Sequence, residues 1–471
     1  MKGKERKDEA MRSRAAALVV VIALLAACGG AGSGADTAPD TSPVATDQPA
    51  TTGPQESAPE ETTSPEEPGE VQQVTFWQFS TSERTIAAYE KAIADFEAEH
   101  PDIDVVMEIV PWAEQQEKIT TALATGELPD VSMLGNNVVA QFQAQGALEP
   151  MDRYFEQWSE EEGIDIVSDF WPGDEYYYKL DGQWYATPLA EETRVLYYRK
   201  DLFEQAGLDP DNPPDTWEEM RAAAQALASI DGIVPWALPM SLDYLTLQTF
   251  ISVYLSNGAR MLSGGECGFN TPEFIESLTY YTDIYLDGLS TPEAATYGEA
   301  EINDLFATGG AAMVINGPWV WRQIEETNPD MIENVGVAPI PAGPEGRFGF
   351  LGGWPLVLWS SSDVKDAAAE WIHWVTSPQG ALSEISQGPG YPPGRRSAAQ
   401  EPPWTDFPMN VVIEGLEYAY PYQYPDPEIP QMGAIEVETI QAAVQRVAIG
   451  AATPEESTAQ LCSDLNAFLS R

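Results

Sequence analysis

Val74-Thr-Phe-Trp-Gln-Phe79 is rich in β-branched and aromatic residues and reads as a strand, and the residues after it decide the fold. Ile86, Tyr89, Ile93 and Phe96 recur at helical spacing and would share one apolar face. His100-Pro101 ends that pattern, because proline cannot continue a helix and biases the residue before it toward extended backbone. Ile103 to Val110 then reads as a second strand, Trp112 to Ala124 as a second helix, and Pro129-Asp-Val-Ser-Met-Leu134 as a third, short strand. Strands alternating with helices predict an α/β fold with largely parallel pairing. In such sheets a ligand lies beyond the carboxyl ends of the strands, which makes Trp77, Phe79, Ser80, Asn136 and Asn137 candidate binding residues.

The same alternation resumes downstream. Trp184-Tyr-Ala-Thr-Pro-Leu-Ala190 and Val195-Leu-Tyr-Tyr198 are strand-like, a short helix ends at Gly207, and Asp215-Thr216 cap a helix that starts at Trp217. Residues 240–320 read as mainly helical. Strands return at Ala312-Met-Val-Ile315 and Gly353-Trp-Pro-Leu-Val-Leu-Trp359, and helices at Asp366 to Val375 and Ala434 to Val447. A chain of 471 residues exceeds what one core usually serves, so two or more lobes are expected.

Upstream, Lys2, Lys4, Arg6, Lys7, Arg12 and Arg14 form a basic leader to the apolar run Ala15 to Ala27. That run is too short to span a bilayer, which takes about 20 residues, and fits the apolar region of a signal peptide. It ends in Leu25-Ala-Ala-Cys28-Gly29, which resembles a bacterial lipobox and predicts cleavage before a lipidated Cys28. Residues 1–27 are therefore expected to be a lipoprotein signal peptide, and the mature protein to be lipid-anchored on the extracytoplasmic face of the cell membrane. Gly29 to Glu70 hold no aromatic, Lys or Arg and are rich in Thr, Pro, Ser and acids, so residues 28–70 are expected to be a disordered tether.

Charge and composition narrow the function. A formal net charge of −52 repels phosphate backbones and argues against nucleic-acid binding. His100 and His373 are the sole histidines, and no Cys/His cluster has ligand spacing, so no metal or other cofactor is expected.

Several motifs fall in one order along nearly all of residues 74–470: Leu128-Pro-Asp-Val131 with Gly135-Asn-Asn137 and Gly146-Ala-Leu-Glu-Pro150; Thr187-Pro-Leu-Ala-Glu-Glu-Thr-Arg-Val-Leu-Tyr-Tyr-Arg-Lys-Asp-Leu202; Pro214-Asp-Thr-Trp-Glu-Glu219; Gly310-Ala-Ala-Met-Val-Ile-Asn-Gly-Pro-Trp319; Lys365-Asp-Ala-Ala-Ala-Glu-Trp-Ile-His-Trp-Val375; and Ile429-Pro-Gln-Met432. In these the chain resembles the extracellular solute-binding proteins of sugar ABC importers, the group that includes maltose-binding protein. The resemblance implies a two-lobe periplasmic-binding-protein fold of type II, with several chain crossings as a hinge and a sugar in the cleft. By analogy lobe 1 is residues 71–190 plus 353–388, and lobe 2 is residues 191–352 plus 389–471. It also implies ABC permease subunits as partners and a monomeric receptor. Maltose-binding members carry aromatics shortly after the Pro-Gln-Met motif, where this chain has Ile435-Glu436-Val437, and another where it has Leu134. A carbohydrate is expected, but the resemblance does not extend to a maltodextrin.

Carbohydrates present apolar ring faces and a belt of hydroxyls, so a receptor needs flat aromatic faces and planar polar groups. Trp319 sits where the family's Asn-Gly-Pro-Trp motif places a stacking ring, and Trp77 and Trp354 are further candidates. Asn137 and Glu192 match ligand-binding positions of the maltose receptor, with Asn136 and Arg194 beside them and Tyr391 in the loop Gly388-Pro-Gly-Tyr-Pro-Pro-Gly394. Each has a plain structural alternative: buried tryptophan, turn asparagine, surface ion pair. A secreted glycoside hydrolase would need two carboxylates across the scissile bond, and the adjacent Glu191-Glu192 would point to opposite faces of a strand. A receptor for a non-sugar solute is the other alternative. With Cys28 lipidated, Cys267 and Cys462 are the remaining thiols, and an oxidising compartment favours a disulfide over two separate buried thiols.

Overall fold

The computed structural model describes residues 71–388, 390–435 and 439–470; the leader, Cys28 and the tether lie outside these residues. The principal strands are β1 (Gln72–Gln78), β2 (Ile103–Ile109), β3 (Val131–Met133), β4 (Thr187–Glu192), β5 (Val195–Arg199), β6 (Val234–Ala237), β7 (Ala311–Asn316), β8 (Val335–Ala338) and β9 (Gly352–Leu358). They form two main sheets, a five-stranded one in the order β2-β1-β3-β9-β4 and a four-stranded one in the order β8-β5-β7-β6.

The expected parallel pairing holds for β1 with β2 and β3, where Val74 faces Val105 and Phe76 faces Val131. It also holds for β7 with β6, where Met313 faces Trp236, and is corrected at the remaining pairs of the two main sheets. β9 runs antiparallel to both β3 and β4, and β5 is antiparallel to both β7 and β8, so each sheet is mixed. The cause is the chain path: β4 passes into the second sheet through Thr193 and Arg194, and β9 comes back from it in the opposite sense.

The helices that matter for the site are α1 (Glu83–Glu99), α2 (Trp217–Leu227), α3 (Tyr244–Ser256), α4 (Glu299–Ala307), α5 (Trp319–Thr327), α6 (Lys365–Thr376) and α7 (Pro454–Leu469). α1 buries Thr85, Tyr89, Ala92 and Phe96, so its core face is rotated from the one set by Ile86 and Ile93, which are half-buried. Phe76 of β1 meets Tyr89 of α1 and Trp371 of α6 with ring centres 5.4 and 5.7 Å apart, and burying each such ring contributes roughly 1.5–3 kcal/mol. α2 starts as its sequence predicts: the Thr216 hydroxyl accepts from the Glu219 N–H, and the Glu219 carboxylate accepts from the Thr216 N–H.

Each sheet has its own core, so the chain forms two lobes. Val74, Phe76, Trp158, Trp359 and Trp371 belong to the first, and Tyr198, Phe250, Tyr254, Phe274 and Tyr281 to the second. Trp404 and Leu416, although late in the chain, pack in the first core. Cys462 on α7 and Cys267 have Cα atoms 5.2 Å apart and their sulfurs joined. Among the described residues no helix is long and apolar enough to cross a membrane.

Candidate functional site

Where the chain crosses between the sheets, its conformation exposes side chains to a shared cavity of about 540 Å³. β4 ends at Glu192 and β5 begins at Val195, so Glu192 and Arg194 flank the crossing. Both are withdrawn from solvent, with Arg194 fully buried. Gly352 and Gly353 on the neighbouring strand make room: a Cβ on Gly352 would lie 2.5 Å from a Glu192 carboxylate oxygen. The register of β9 against β4 slips between Trp354 and Pro355, since proline cannot donate to the ladder, and Trp354 at that bulge lines the cavity.

Trp319 opens α5 immediately after β7. Its ring lies so close to Gly317 that a Cβ there would fall 2.2 Å from it, so only glycine lets the indole fold back over the turn. Trp319, Trp354 and Tyr391 form a connected aromatic wall, with Tyr391 4.4 Å from Trp354 and 6.3 Å from Trp319. The loop carrying Tyr391 is tied to β4 by the Glu191 N–H, which donates to the Pro392 carbonyl at 2.8 Å. On the opposite side Asn136 donates to the Leu351 carbonyl at 3.2 Å, and Asn137 reaches the Tyr244 hydroxyl of α3 at 3.4 Å.

The electrostatics centre on Arg194. Its guanidinium lies 4.8 Å from the Trp319 ring centre and 4.9 Å from that of Phe350, a cation held between aromatic rings. It makes a single hydrogen bond, Nη2 to Glu192 Oε1 at 3.3 Å. Arg194 Nε and Nη1, Glu192 Oε2 and Gln248 Oε1 are buried and make no hydrogen bond with any described residue. Each such group costs about 1–3 kcal/mol if nothing satisfies it. Burial pushes the Glu192 carboxyl up, and Arg194 opposes that rise. Burial also raises Glu299 of α4, again against Arg194. The Trp319 indole N–H lies near Glu299 but makes no hydrogen bond of ordinary geometry.

The structure thus brings Asn136, Asn137, Glu192, Arg194, Trp319, Trp354 and Tyr391 to one cavity. Ser80 lines a smaller neighbouring pocket that shares Trp112, Trp354 and Tyr391 with it. Trp77 is not brought there. Strand alternation turns it away from Phe76 into a surface pocket beside Glu114 and Glu117, with the Lys118 ammonium 4.2 Å above its ring.

Trp112, Tyr244, Gln248, Glu299, Asn303 and Phe350 also line the cavity without having stood out in the sequence. The available signal was spacing: Tyr244 and Gln248 are one helical turn apart, as are Glu299 and Asn303, on helices whose other inward residues are largely apolar. Asn303 is fixed by Asn316, whose amide donates to it. Among the described residues no group of His, Cys, Asp and Glu could hold a metal ion.

Two α/β lobes around a cavity of aromatic faces and unsaturated planar polar groups define a type II binding-protein fold. The chain matches the bacterial extracellular solute-binding protein family over residues 80–382, and it belongs to that family. A Brucella abortus protein described only as a binding protein is 34% identical over 275 residues, which is 58% of this chain and 64% of that relative's length. A solute-binding protein from Thermotoga lettingae, solved with α-D-tagatose, is 28% identical with a TM-score of 0.70, covering 84% of this chain and 100% of that one. The sugar-binding protein MalE of Xanthomonas citri is 28% identical with a TM-score of 0.75, covering 85% and 98%.

Proposed function

We propose that this protein captures a carbohydrate in the cavity around Arg194 and Trp319 and delivers it to the permease subunits of an ABC importer. The observation that carries the reading is the open valence of Arg194, Glu192 and Gln248 beside an aromatic wall. Sugar hydroxyls can donate to the carboxylate and amide oxygens and accept from the guanidinium, while the ring faces pack on Trp319 and Trp354. Asn136 and Trp354 belong to the first sheet's side and Trp319 and Gln248 to the second, so a ligand touching both favours the closed state. In this reading the lobes are residues 71–190 plus 353–388 and residues 191–352 plus 389–471, with Trp404 and Leu416 packed against the first.

The test is a thermal-shift screen of mono- and oligosaccharides followed by calorimetry, because a ligand that binds only the folded state raises stability by about 2.7 kcal/mol at 100 times its Kd. Saturable binding with the saccharide recovered intact is the expected result. Glu192 and Glu299 line one cavity, which gives a glycoside hydrolase a specific foothold. Appearance of a shortened sugar would replace the receptor by that enzyme.

We further infer a lipid anchor at Cys28 and a monomeric, extracytoplasmic receptor. Mass spectrometry of the mature N-terminus should find a diacylglyceryl cysteine; an unmodified start at another residue would remove the anchor.

A further inference from the structure

We propose that the saccharide is acidic, and that the carboxylate of a uronic acid residue seats between Arg84 and Arg322 in a second cavity behind Trp319. This rests on the carbohydrate reading above and narrows it. The second cavity has a volume of about 240 Å³ and shares the Trp319 ring with the first, so a ligand that passes the edge of that ring reaches both. Trp321 and Trp404 supply the rest of its apolar lining.

The chain has 75 acidic side chains against 23 Lys and Arg, so a cation should find an acidic partner easily. Most do. Arg153, Arg199, Arg221, Arg347, Arg395 and Arg396 each hold a carboxylate. The side chains of Arg84 on α1 and Arg322 on α5 make no hydrogen bond or ion pair with any described residue, and both line this cavity. Glu325 lies three residues beyond Arg322 and lines it too, yet no ion pair forms; its carboxylate instead accepts from the Trp321 indole N–H at 3.0 Å.

Arg322 is also accommodated. Gly390 has φ +81°, and a Cβ there would fall 2.4 Å from the Arg322 Nη2, so the glycine leaves space for the guanidinium. The two arginines come from helices associated with different sheets, so an anion between them would add to lobe closure. A planar carboxylate suits them, because guanidinium groups bind carboxylates through paired hydrogen bonds. In a field this acidic, an unpaired anion would otherwise be repelled, so the pair also selects the ligand.

Calorimetry with matched saccharides tests this: oligomers of galacturonate and glucuronate against the corresponding neutral galactose and glucose oligomers. We expect an acidic member to bind more tightly than its neutral counterpart, and Arg84→Ala/Arg322→Ala to weaken it roughly tenfold or more while leaving any neutral-sugar affinity unchanged. Arg84 is exposed, so Arg84→Ala alone keeps the test valid if the double variant misfolds. Neutral sugars binding as tightly as acidic ones would overturn the inference and leave the carbohydrate reading standing. Acidic preference undiminished in the variants would overturn the assigned site. Absence of binding to every acidic member would overturn this inference, and the carbohydrate reading falls with it only if the wider screen of mono- and oligosaccharides is also empty.

Discussion

Arg395 and Arg194 are both withdrawn from solvent, and the protein treats them in opposite ways. Arg395 is saturated. Its Nε donates to Asp169 at 2.7 Å and its Nη2 to Glu162 at 2.8 Å; Glu162 also meets His373 at 2.9 Å, and that imidazole stacks on Trp158. Burial pushes the Glu162 carboxyl up, but hydrogen bonds from His373 and Arg395 outweigh it and hold it at about 2, below its ordinary 4.5. Arg194 has one hydrogen bond, two nitrogens without any, and neighbouring carboxylates raised by burial. A closed network of charges stabilises a fold, whereas an open one of the same residue types is arranged for something else to close. That difference separates a structural arginine from the one proposed to meet ligand, without reference to any relative.

The comparison breaks most visibly through stability. Arg395→Ala leaves the half-buried Glu162 and Asp169 without the buried guanidinium between them and should cost about 3 kcal/mol, read as a large drop in melting temperature. A cost under about 1 kcal/mol would erase the distinction.

Arg194→Met should do the reverse. It removes a buried charge held by one long hydrogen bond, and Glu192, already raised by burial, can take up a proton once unpaired, so the stability loss should be smaller than for Arg395→Ala, while saccharide affinity falls by about 2 kcal/mol or more. A collapse of stability with affinity retained would place Arg194 among the structural groups.

Acid separates the regions by sign. Glu162 has a depressed folded pKa, so its contribution is present above the ordinary carboxylate pKa and is lost as pH falls from about 4.5 toward 2. Glu192 has a raised folded pKa, so its effect runs the other way, stability declining as pH rises through that raised value. Glu162→Gln should therefore flatten the acid limb of a melting-temperature profile, by on the order of 2 kcal/mol after screening, and Glu192→Gln should not.

The smallest effect calibrates the others. Thr216→Ala removes the cap of α2, far from both arginines in chain position, and should cost about 1 kcal/mol with saccharide affinity unchanged. Loss of affinity there would mean that binding merely follows stability.

The sequence makes one of these regions more legible than the other. The strand–helix alternation from Val74 to Leu134 predicts its elements to within a few residues, because period and punctuation are local. Asn136, Asn137, Glu192, Arg194, Trp319, Trp354 and Tyr391 were reachable because they stand in or beside recognisable motifs, and they share a cavity. Trp77 was misplaced because being near a strand end does not fix which face a side chain takes. The Arg395 network was invisible: Asp169 and Glu162 lie 226 and 233 residues away in sequence. The saturation that distinguishes Arg395 from Arg194 is a property of long-range packing, and it appears only once the chain is folded.

The cavity at Arg194 and Trp319 is proposed to take a saccharide ring. Calorimetry of wild-type protein and Trp319→Ala with the saccharide that the screen selects, alongside their melting temperatures, tests it most directly. Loss of the half-buried indole should weaken binding by roughly 2–4 kcal/mol and leave the melting temperature near the wild-type value. Unchanged affinity would contradict the claim, and lost affinity accompanied by gross unfolding would assign the ring to the core instead.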